Sequence, residues 1–242
     1  MPSEPDVCVI VPALNEARTL PGVLAAVPSW VRAVIVVDNG STDETAAVAR
    51  AGGAVVVAEP RPGYGRACQA GIAALDAVGG CAIVVFLDAD GSDDPGQMDR
   101  LVRPIAVGEA DMVIGSRVRG AVEAGALTIP QRVGNALACG LIRRLWGVRY
   151  SDLGPFRAIG RAALDRLAMT DPSYGWTVQM QIRAARLGLA TREVAVDYRR
   201  RQGGVSKISG TVTGTVRAGA KILWVIQREA WARVPLRPRR AD

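Results

Sequence analysis

The stretch Ala82-Ile83-Val84-Val85-Phe86-Leu87-Asp88-Ala89-Asp90 decides the fold. Its first six residues are an apolar run rich in Val and Ile, the pattern of a strand buried on both faces, and two carboxylates follow where that strand meets solvent. Alternate side chains of an extended segment share a face, so Asp88 and Asp90 can converge on one cation, and the small Ala89 leaves room for a ligand. Carboxylate oxygens suit hard ions, and Mg2+ or Mn2+ would keep positions open for water and substrate phosphates. Taken alone, the Asp-x-Asp spacing fits solvated acids at a strand exit equally well.

Similar runs at residues 7–11, 33–37, 54–57 and 112–114 alternate with segments of helical spacing at 18–26, 42–51, 65–77 and 96–106. Strand and helix in alternation predict right-handed crossovers and an α/β fold with a mostly parallel sheet and helices on both faces. Ligands of such sheets bind beyond the carboxyl ends of the strands. The loops at those ends are Pro12-Ala13-Leu14-Asn15-Glu16, Asp38-Asn39-Gly40-Ser41-Thr42-Asp43, Arg61-Pro62-Gly63-Tyr64-Gly65-Arg66, Asp88 to Asp94 and Gly115-Ser116-Arg117. Turn chemistry explains each loop singly. It does not explain why acids, small residues and arginines gather at one edge.

Composition narrows the chemistry. The 242-residue chain is 49% hydrophobic and 22% charged, which suits one globular domain. Its four cysteines, Cys8, Cys68, Cys81 and Cys139, show no Cys-x-x-Cys spacing and read as thiols of a reducing compartment. The polar start, with Pro2 and Pro5, does not resemble a signal peptide, and no run approaches the roughly 18 apolar residues of a membrane span. A cytoplasmic or peripheral protein is expected. The chain has no histidine, which removes the commonest general base, the commonest zinc ligand and every histidine-activated nucleophile. Catalysis must use carboxylates, metal, Lys or Arg. Gly63-x-Gly65 imitates part of a dinucleotide fingerprint, but Cys68 replaces the third small residue and the pair follows the third strand, which argues against a dehydrogenase. The net charge of +7 comes without an aromatic platform or nucleic-acid motif, so no nucleic-acid partner is expected.

Ile10-Val11-Pro12-Ala13-Leu14-Asn15-Glu16, Val37 to Asp43, Gly63-Tyr64-Gly65-Arg66-Ala67 and Leu87-Asp88-Ala89-Asp90, in that order, resemble the inverting family 2 glycosyltransferases of the Rossmann-like GT-A fold. The branch they look most like is that of the dolichol-phosphate and polyprenyl-phosphate sugar synthases. The resemblance runs over residues 7–222 and includes Ser151-Asp152-Leu153-Gly154-Pro155-Phe156-Arg157 and Gly204-Val205-Ser206-Lys207. It implies one GT-A domain over residues 1–222, followed at 223–242 by the end of an amphipathic helix and a basic tail. It also implies metal-dependent, inverting transfer of a sugar from a UDP- or GDP-sugar to a polyprenyl phosphate.

Carried over residue by residue, the resemblance places the nucleotide-sugar on Pro12, Ala13, Asn15, Glu16, Asp38, Gly40, Gly63, Arg66, Asp88, Ala89 and Asp90. It places the Mg2+ or Mn2+ on Asp88, Asp90 and Ser92, where serine is a weaker ligand than a carboxylate or amide oxygen. Arg117, Arg201 and Lys207 become the catalytic cations, and Asp152 the base if the acceptor is a hydroxyl. Arg117, Arg132, Trp176, Gln179 and Ser206 are the acceptor-side residues, with Gln179 standing where relatives commonly carry glutamate. A hydroxyl acceptor on a glycan, glycolipid or small molecule, and a catalytically silent nucleotide-sugar-binding protein, remain alternatives.

From Lys207 to Trp231 apolar residues recur at helical spacing among Arg217, Lys221 and Arg228, and a basic, proline-interrupted tail follows. The segment fits either a helix packed on the core or an interfacial helix seeking anionic lipid on the inner face of the cell membrane.

Overall fold

The structure, a computed structural model, describes residues 5–203 and 212–232. Seven strands form one sheet: β1 (Val7–Ala13), β2 (Ala33–Asp38), β3 (Val55–Ala58), β4 (Ile83–Phe86), β5 (Met112–Ser116), β6 (Arg157–Gly160) and β7 (Thr191–Ala195), in the order β3-β2-β1-β4-β6-β5-β7. Neighbours pair in parallel except at β6, which runs antiparallel to both β4 and β5. The five strands read from the sequence are present. A direct β4-to-β5 pairing does not form, because the reversed β6 lies between them.

Helices cover both faces, as the alternation requires: α1 (Leu20–Ala26), α2 (Thr45–Ala51), α3 (Tyr64–Ala73), α4 (Met98–Ala106), α5 (Ile129–Trp146), α6 (Arg161–Leu167), α7 (Trp176–Arg186) and α8 (Val212–Trp231). Strand β1 shows how the faces divide. Val7, Val9 and Val11 point into a core shared with Leu20 and Val23 of α1, Ala49 of α2 and Met98 of α4, while Cys8 and Ile10 point into a second core with α3, α5, α7 and α8. The sheet is therefore buried on both sides, which is why its central strands are unbroken apolar runs.

Helix α2 starts at Thr45, later than its spacing suggested, because Thr42 and Asp43 are engaged in loop hydrogen bonds. Helix α5 opens on a capping box: Thr128 Oγ1 accepts from the Gln131 N–H while Gln131 Oε1 accepts from the Thr128 N–H.

Helix α8 settles the first half of the C-terminal question. Val225 and Ile226 enter the core, and Glu229, 2% exposed, accepts hydrogen bonds from Gln179, Arg183 and Arg186 of α7 as well as from Arg228. Lys221 and Arg228 pair with the buried Asp171 just before α7. The helix is thus docked on the domain through buried charge. Among the described residues no helix is long and apolar enough to cross a membrane. The tail from residue 233 onward lies outside the described residues.

Removing Glu229 leaves Arg183, whose side chain is 8% exposed, without its carboxylate. Glu229→Ala is expected to cost about 3–5 kcal/mol in a denaturant unfolding curve. The isosteric Glu229→Gln should cost clearly less, because it keeps the acceptor oxygen for Arg183.

Candidate active site

The carboxyl-end loops pack on one another through side-chain to backbone hydrogen bonds. Asn15, in a left-handed conformation at φ 54°, donates its N–H to Ser41 Oγ and accepts the Thr42 N–H on Oδ1, which ties the first loop to the second. Asn39 ties the second to the third: Nδ2 donates to the carbonyls of Glu59 and Arg61, and Oδ1 accepts the Gly63 N–H. Asp38 Oδ1 caps the turn at Ser41. Pro12 and Ala13 close β1 beside this turn, paired with Val37 and Asp38. Gly40, at φ 81°, makes a bend that a side chain would strain.

Gly63 and Gly65 are required for a different reason from nucleotide approach. A Cβ on Gly63 would strike the carbonyl oxygen of Pro172, and one on Gly65 that of Asp171. The first turn of α3 lies against this segment, where the Arg66 N–H donates to the Pro172 carbonyl at 3.1 Å. The Arg66 side chain reaches back to the carbonyl of Pro62.

Asp88, Ala89 and Asp90 follow β4 as expected. Asp90 is 8% exposed; its Oδ1 accepts the Ser92 N–H at 2.9 Å and its Oδ2 pairs with Arg201 at 3.0 Å. Arg201 also holds Glu16 at 2.8 Å, so one guanidinium bridges the first loop and the Asp-x-Asp turn. Tyr64 hydrogen-bonds Asp88, whose Oδ1 is enclosed without a partner. Burial, reinforced by the charge of Asp90, pushes the Asp88 carboxyl up to about 7. Asp93, 3% exposed, has neither carboxylate oxygen paired, and burial together with Asp88 pushes it well above the usual range.

These orphaned oxygens fit a divalent cation. Among the described residues no three acidic, Cys or His side chains form a ready cage. Two carboxylates with open positions are the arrangement that substrate phosphates complete. Sequence reading missed Asp93, because an acid in the turn that follows is common and its burial depends on the distant Tyr198, to which its backbone bridges.

Opposite this turn lies the Arg117–Asp152 pair. Asp152 is fully buried and accepts three hydrogen bonds from Arg117: from the N–H and Nε on Oδ2, both at 2.8 Å, and from a terminal nitrogen on Oδ1 at 2.7 Å. The Arg117 guanidinium also lies over the Tyr198 ring at 5.0 Å. A buried carboxylate forked in this way serves as the counter-ion that aims the arginine.

The loop carrying Asp152 is fastened from every side. Glu193 on β7 accepts the N–H groups of Ser151 and Asp152, Asn135 on α5 bonds Ser151 and Leu153, and Gln181 on α7 donates to the Asp152 carbonyl. The wholly buried Arg157 donates to the carbonyls of Leu153, Gly154 and Thr177. Of these four positioning residues only Arg157 falls within a sequence motif, the stretch at residues 151–157; Asn135, Gln181 and Glu193 lie far from it in sequence.

A cavity of about 610 Å3 begins at Arg117 and Asp152 and runs between α5 and α8. Val118, Val122, Leu127, Pro130, Leu153 and Ile222 give it apolar walls, and Arg132 lies on its α5 side. Two expected acceptor residues are not there. Trp176, 1% exposed, packs edge-on against Phe86 at 6.2 Å in the core, and its neighbours Tyr174 and Thr177 line the cavity instead. Gln179, 0% exposed, spends its amide on the Thr170 and Asp171 N–H groups and on Glu229. A glutamate at that position would meet Glu229 at hydrogen-bond distance, which gives the glutamine a packing reason. Ser206 and Lys207 lie outside the described residues.

Residues 8–167, most of the sheet and its carboxyl-end loops, match the model of Glycosyl transferase family 2. The chain belongs to this family. This glycosyltransferase is 42% identical over 214 residues to an uncharacterised glycosyltransferase of Mycobacterium tuberculosis, covering 88% of this chain and 94% of that one. It is 35% identical over 225 residues to the undecaprenyl-phosphate mannosyltransferase of Micrococcus luteus, covering 86% of this chain and 89% of that one. Its GT-A fold superposes on glucosyl-3-phosphoglycerate synthase of M. tuberculosis, solved with Mn2+, UDP and glucosyl-3-phosphoglycerate, at a TM-score of 0.73 and 25% identity, over 96% of this chain and 82% of that one. The same synthase has been solved with Mg2+ and UDP.

The raised Asp88 carboxyl gives a pH test of the metal centre. Its folded value lies near 7 and the ordinary value is 3.8, so between them the folded state holds the extra proton. In metal-free buffer, stability is expected to fall as pH rises from about 4 to about 7, with Asp93, displaced in the same direction, adding to the fall, and Asp88→Asn should reduce that slope. Added Mn2+ should bind more tightly and restore stability as pH rises over the same window. Denaturant midpoints with chelator and with Mn2+ read both effects.

Proposed function

We propose that this family 2 glycosyltransferase moves a sugar from a nucleoside diphosphate sugar, UDP- or GDP-linked, onto a polyprenyl phosphate, with inversion and with Mg2+ or Mn2+. The observation that carries the acceptor assignment is the apolar cavity that ends on Arg117. A chain of isoprene units fits its walls, and a phosphate at its inner end meets a guanidinium already aimed by Asp152. The name of the Micrococcus relative and the metal complexes of the synthase support the same chemistry.

In this reading Pro12, Ala13, Asn15, Glu16, Asp38 and Gly40 face the nucleoside, with Gly63 and Arg66 beside it and Asp88, Ala89 and Asp90 at the diphosphate. Asp88 and Asp90 would hold the divalent cation, with Ser92 fixing the orientation of Asp90 through its N–H and Asp93 adding charge nearby. When bound, that cation neutralises charge developing on the departing diphosphate. Arg201 leaves Glu16 and Asp90 as the donor arrives and turns to phosphate, together with Lys207. Arg132 and Ser206 serve the acceptor side.

The acceptor oxygen of a lipid phosphate is already an anion. It displaces the diphosphate at the anomeric carbon in one inverting step without a general base, which suits a histidine-free chain whose Asp152 is tied to Arg117. An acceptor that resides in the membrane brings the enzyme to the membrane surface, and free cysteines suit the reducing, cytoplasmic side.

The test is turnover of UDP- and GDP-sugars with Mg2+ or Mn2+, with and without polyprenyl phosphate, following released nucleotide and labelled lipid. Labelled lipid with one donor is the expected result. Nucleotide released without labelled lipid would transfer the assignment to a hydroxyl acceptor, and donor binding without turnover to a silent binder. Arg117→Lys keeps a charge but loses the fork, so it should lower lipid labelling by about a hundredfold while nucleotide binding stays within about twofold.

A further inference from the structure

We propose that the outward face of α5, with the exposed flank of α8, docks the protein on an anionic phospholipid bilayer; the inference rests on the lipid-phosphate acceptor reading above and names the surface that serves it. On α5, Ile129, Val133, Leu137 and Leu145 are 78, 62, 52 and 49% exposed. At the α-helical pitch the first three fall within an arc of about 80°, a single stripe along the first half of the helix. On α8, Leu223, Trp224 and Trp231 are 43, 48 and 80% exposed. The large apolar side chains exposed among the described residues gather on this side: apart from Val55 and Val107, each lies on α5 or α8 or, like Val118 and Tyr174, lines the cavity between them. A soluble surface rarely concentrates apolar groups in this way without something to cover them.

Charge selects the cover. Helix α5 contains no Asp or Glu, and its charged residues, Arg132, Arg143 and Arg144, are all exposed. The single acid of α8, Glu229, is buried among arginines, while Arg217 is exposed and the cations of Lys221 and Arg228 lie 4.2 and 4.7 Å from the Trp224 ring. Apolar groups on two helices whose exposed charges are cations complement lipid headgroups of opposite sign, and a tryptophan beside Lys221 and Arg228, both also paired with the buried Asp171, suits the boundary between headgroup and acyl chain. A second copy of the same face would set arginine against arginine. The cavity is lined by both helices, so docking through them brings its α5–α8 side to headgroup depth, where the phosphate of a membrane-borne acceptor lies.

Flotation of the full chain with vesicles of phosphatidylcholine alone, and of phosphatidylcholine with phosphatidylglycerol, tests the surface. The wild type should float with the anionic vesicles, less so in high salt. Val133→Glu with Leu137→Glu should weaken that binding by at least about tenfold, and Arg143→Glu with Arg144→Glu should abolish the preference for anionic lipid. Both pairs are exposed and outside the cavity, and an unchanged melting curve confirms that they fold. Vesicle binding equal in the wild type and the Val133/Leu137 variant would overturn the proposal, as would a concentration-dependent dimer that this variant dissolves with no change in vesicle binding.

Turnover of a short, water-soluble prenyl phosphate without vesicles reads the acceptor assignment separately. Activity there without vesicle binding overturns the docking surface alone. Vesicle binding lost in the variant supports the surface even if no prenyl phosphate is glycosylated, a result that would fall on the acceptor assignment instead.

Discussion

Because β6 alone runs against the sheet, the other six strands all deliver their carboxyl-end loops to one edge, and the loop that precedes β6 enters from that edge too. Glu16, Asp88, Asp90, Asp93 and Asp152 therefore meet in a largely buried rim. Arginine answers three of these acids: Arg201 holds Glu16 and Asp90, and Arg117 holds Asp152. Asp88 Oδ1 and both oxygens of Asp93 are enclosed without a partner. Uncompensated buried carboxylates either take up protons or attract a cation, and the upward displacement of Asp88 and Asp93 expresses the first course when the second is absent. The rim is thus short of positive charge at Asp88 and Asp93.

The two arginines differ in how freely they can move. Arg117 is 14% exposed at its side chain, forked on a carboxylate that four other residues hold in place, and stacked on Tyr198. Arg201 is 27% exposed and bridges two acids of different loops, Glu16 and Asp90. A guanidinium in the first setting is preorganised, so it stabilises charge without reorganising during reaction. One in the second is exchangeable, because it reaches solvent and is shared between two acids. In the proposed reading this separation fixes the acceptor end and leaves the donor end to be assembled on binding.

The legible part of this architecture is the part that repeats. Strands β1, β2, β4 and β5 are buried on both faces and so appear in sequence as runs of Val and Ile, and their loops carry compact polar motifs. Strand β6 is only Arg157-Ala158-Ile159-Gly160, an apolar pair preceded by a buried arginine, and β7, Thr191-Arg192-Glu193-Val194-Ala195, is half-exposed and polar at its start. Neither has the period or the length that marks a strand. Most of the positioning shell around Asp152 was hidden for a related reason: Asn135, Gln181 and Glu193 act on one loop from three elements, and only the tertiary arrangement makes them neighbours. Gln179 and Trp176 show the converse error, in which a family position suggested substrate contact and the packing instead gives each a role in the core.

The donor and acceptor sides also share a hinge of covalent chain. The carbonyls of Asp171 and Pro172 press on the first turn of α3 so closely that Gly63 and Gly65 can carry no side chain. The carboxylate of the same Asp171 is paired with Lys221 and Arg228 of α8, and Gly175 is pressed between Val225 and that aspartate. A displacement of α8 along its axis therefore cannot be absorbed by a soft loop; it is transmitted through two residues to the turn that opens α3 beside the donor. Tight backbone contact on one side and buried ion pairs on the other make the segment a stiff link. The helix that lines the cavity and the glycine turn that opens α3 are held in one register by the same two peptide units, and in the proposed reading that register sets the acceptor against the donor.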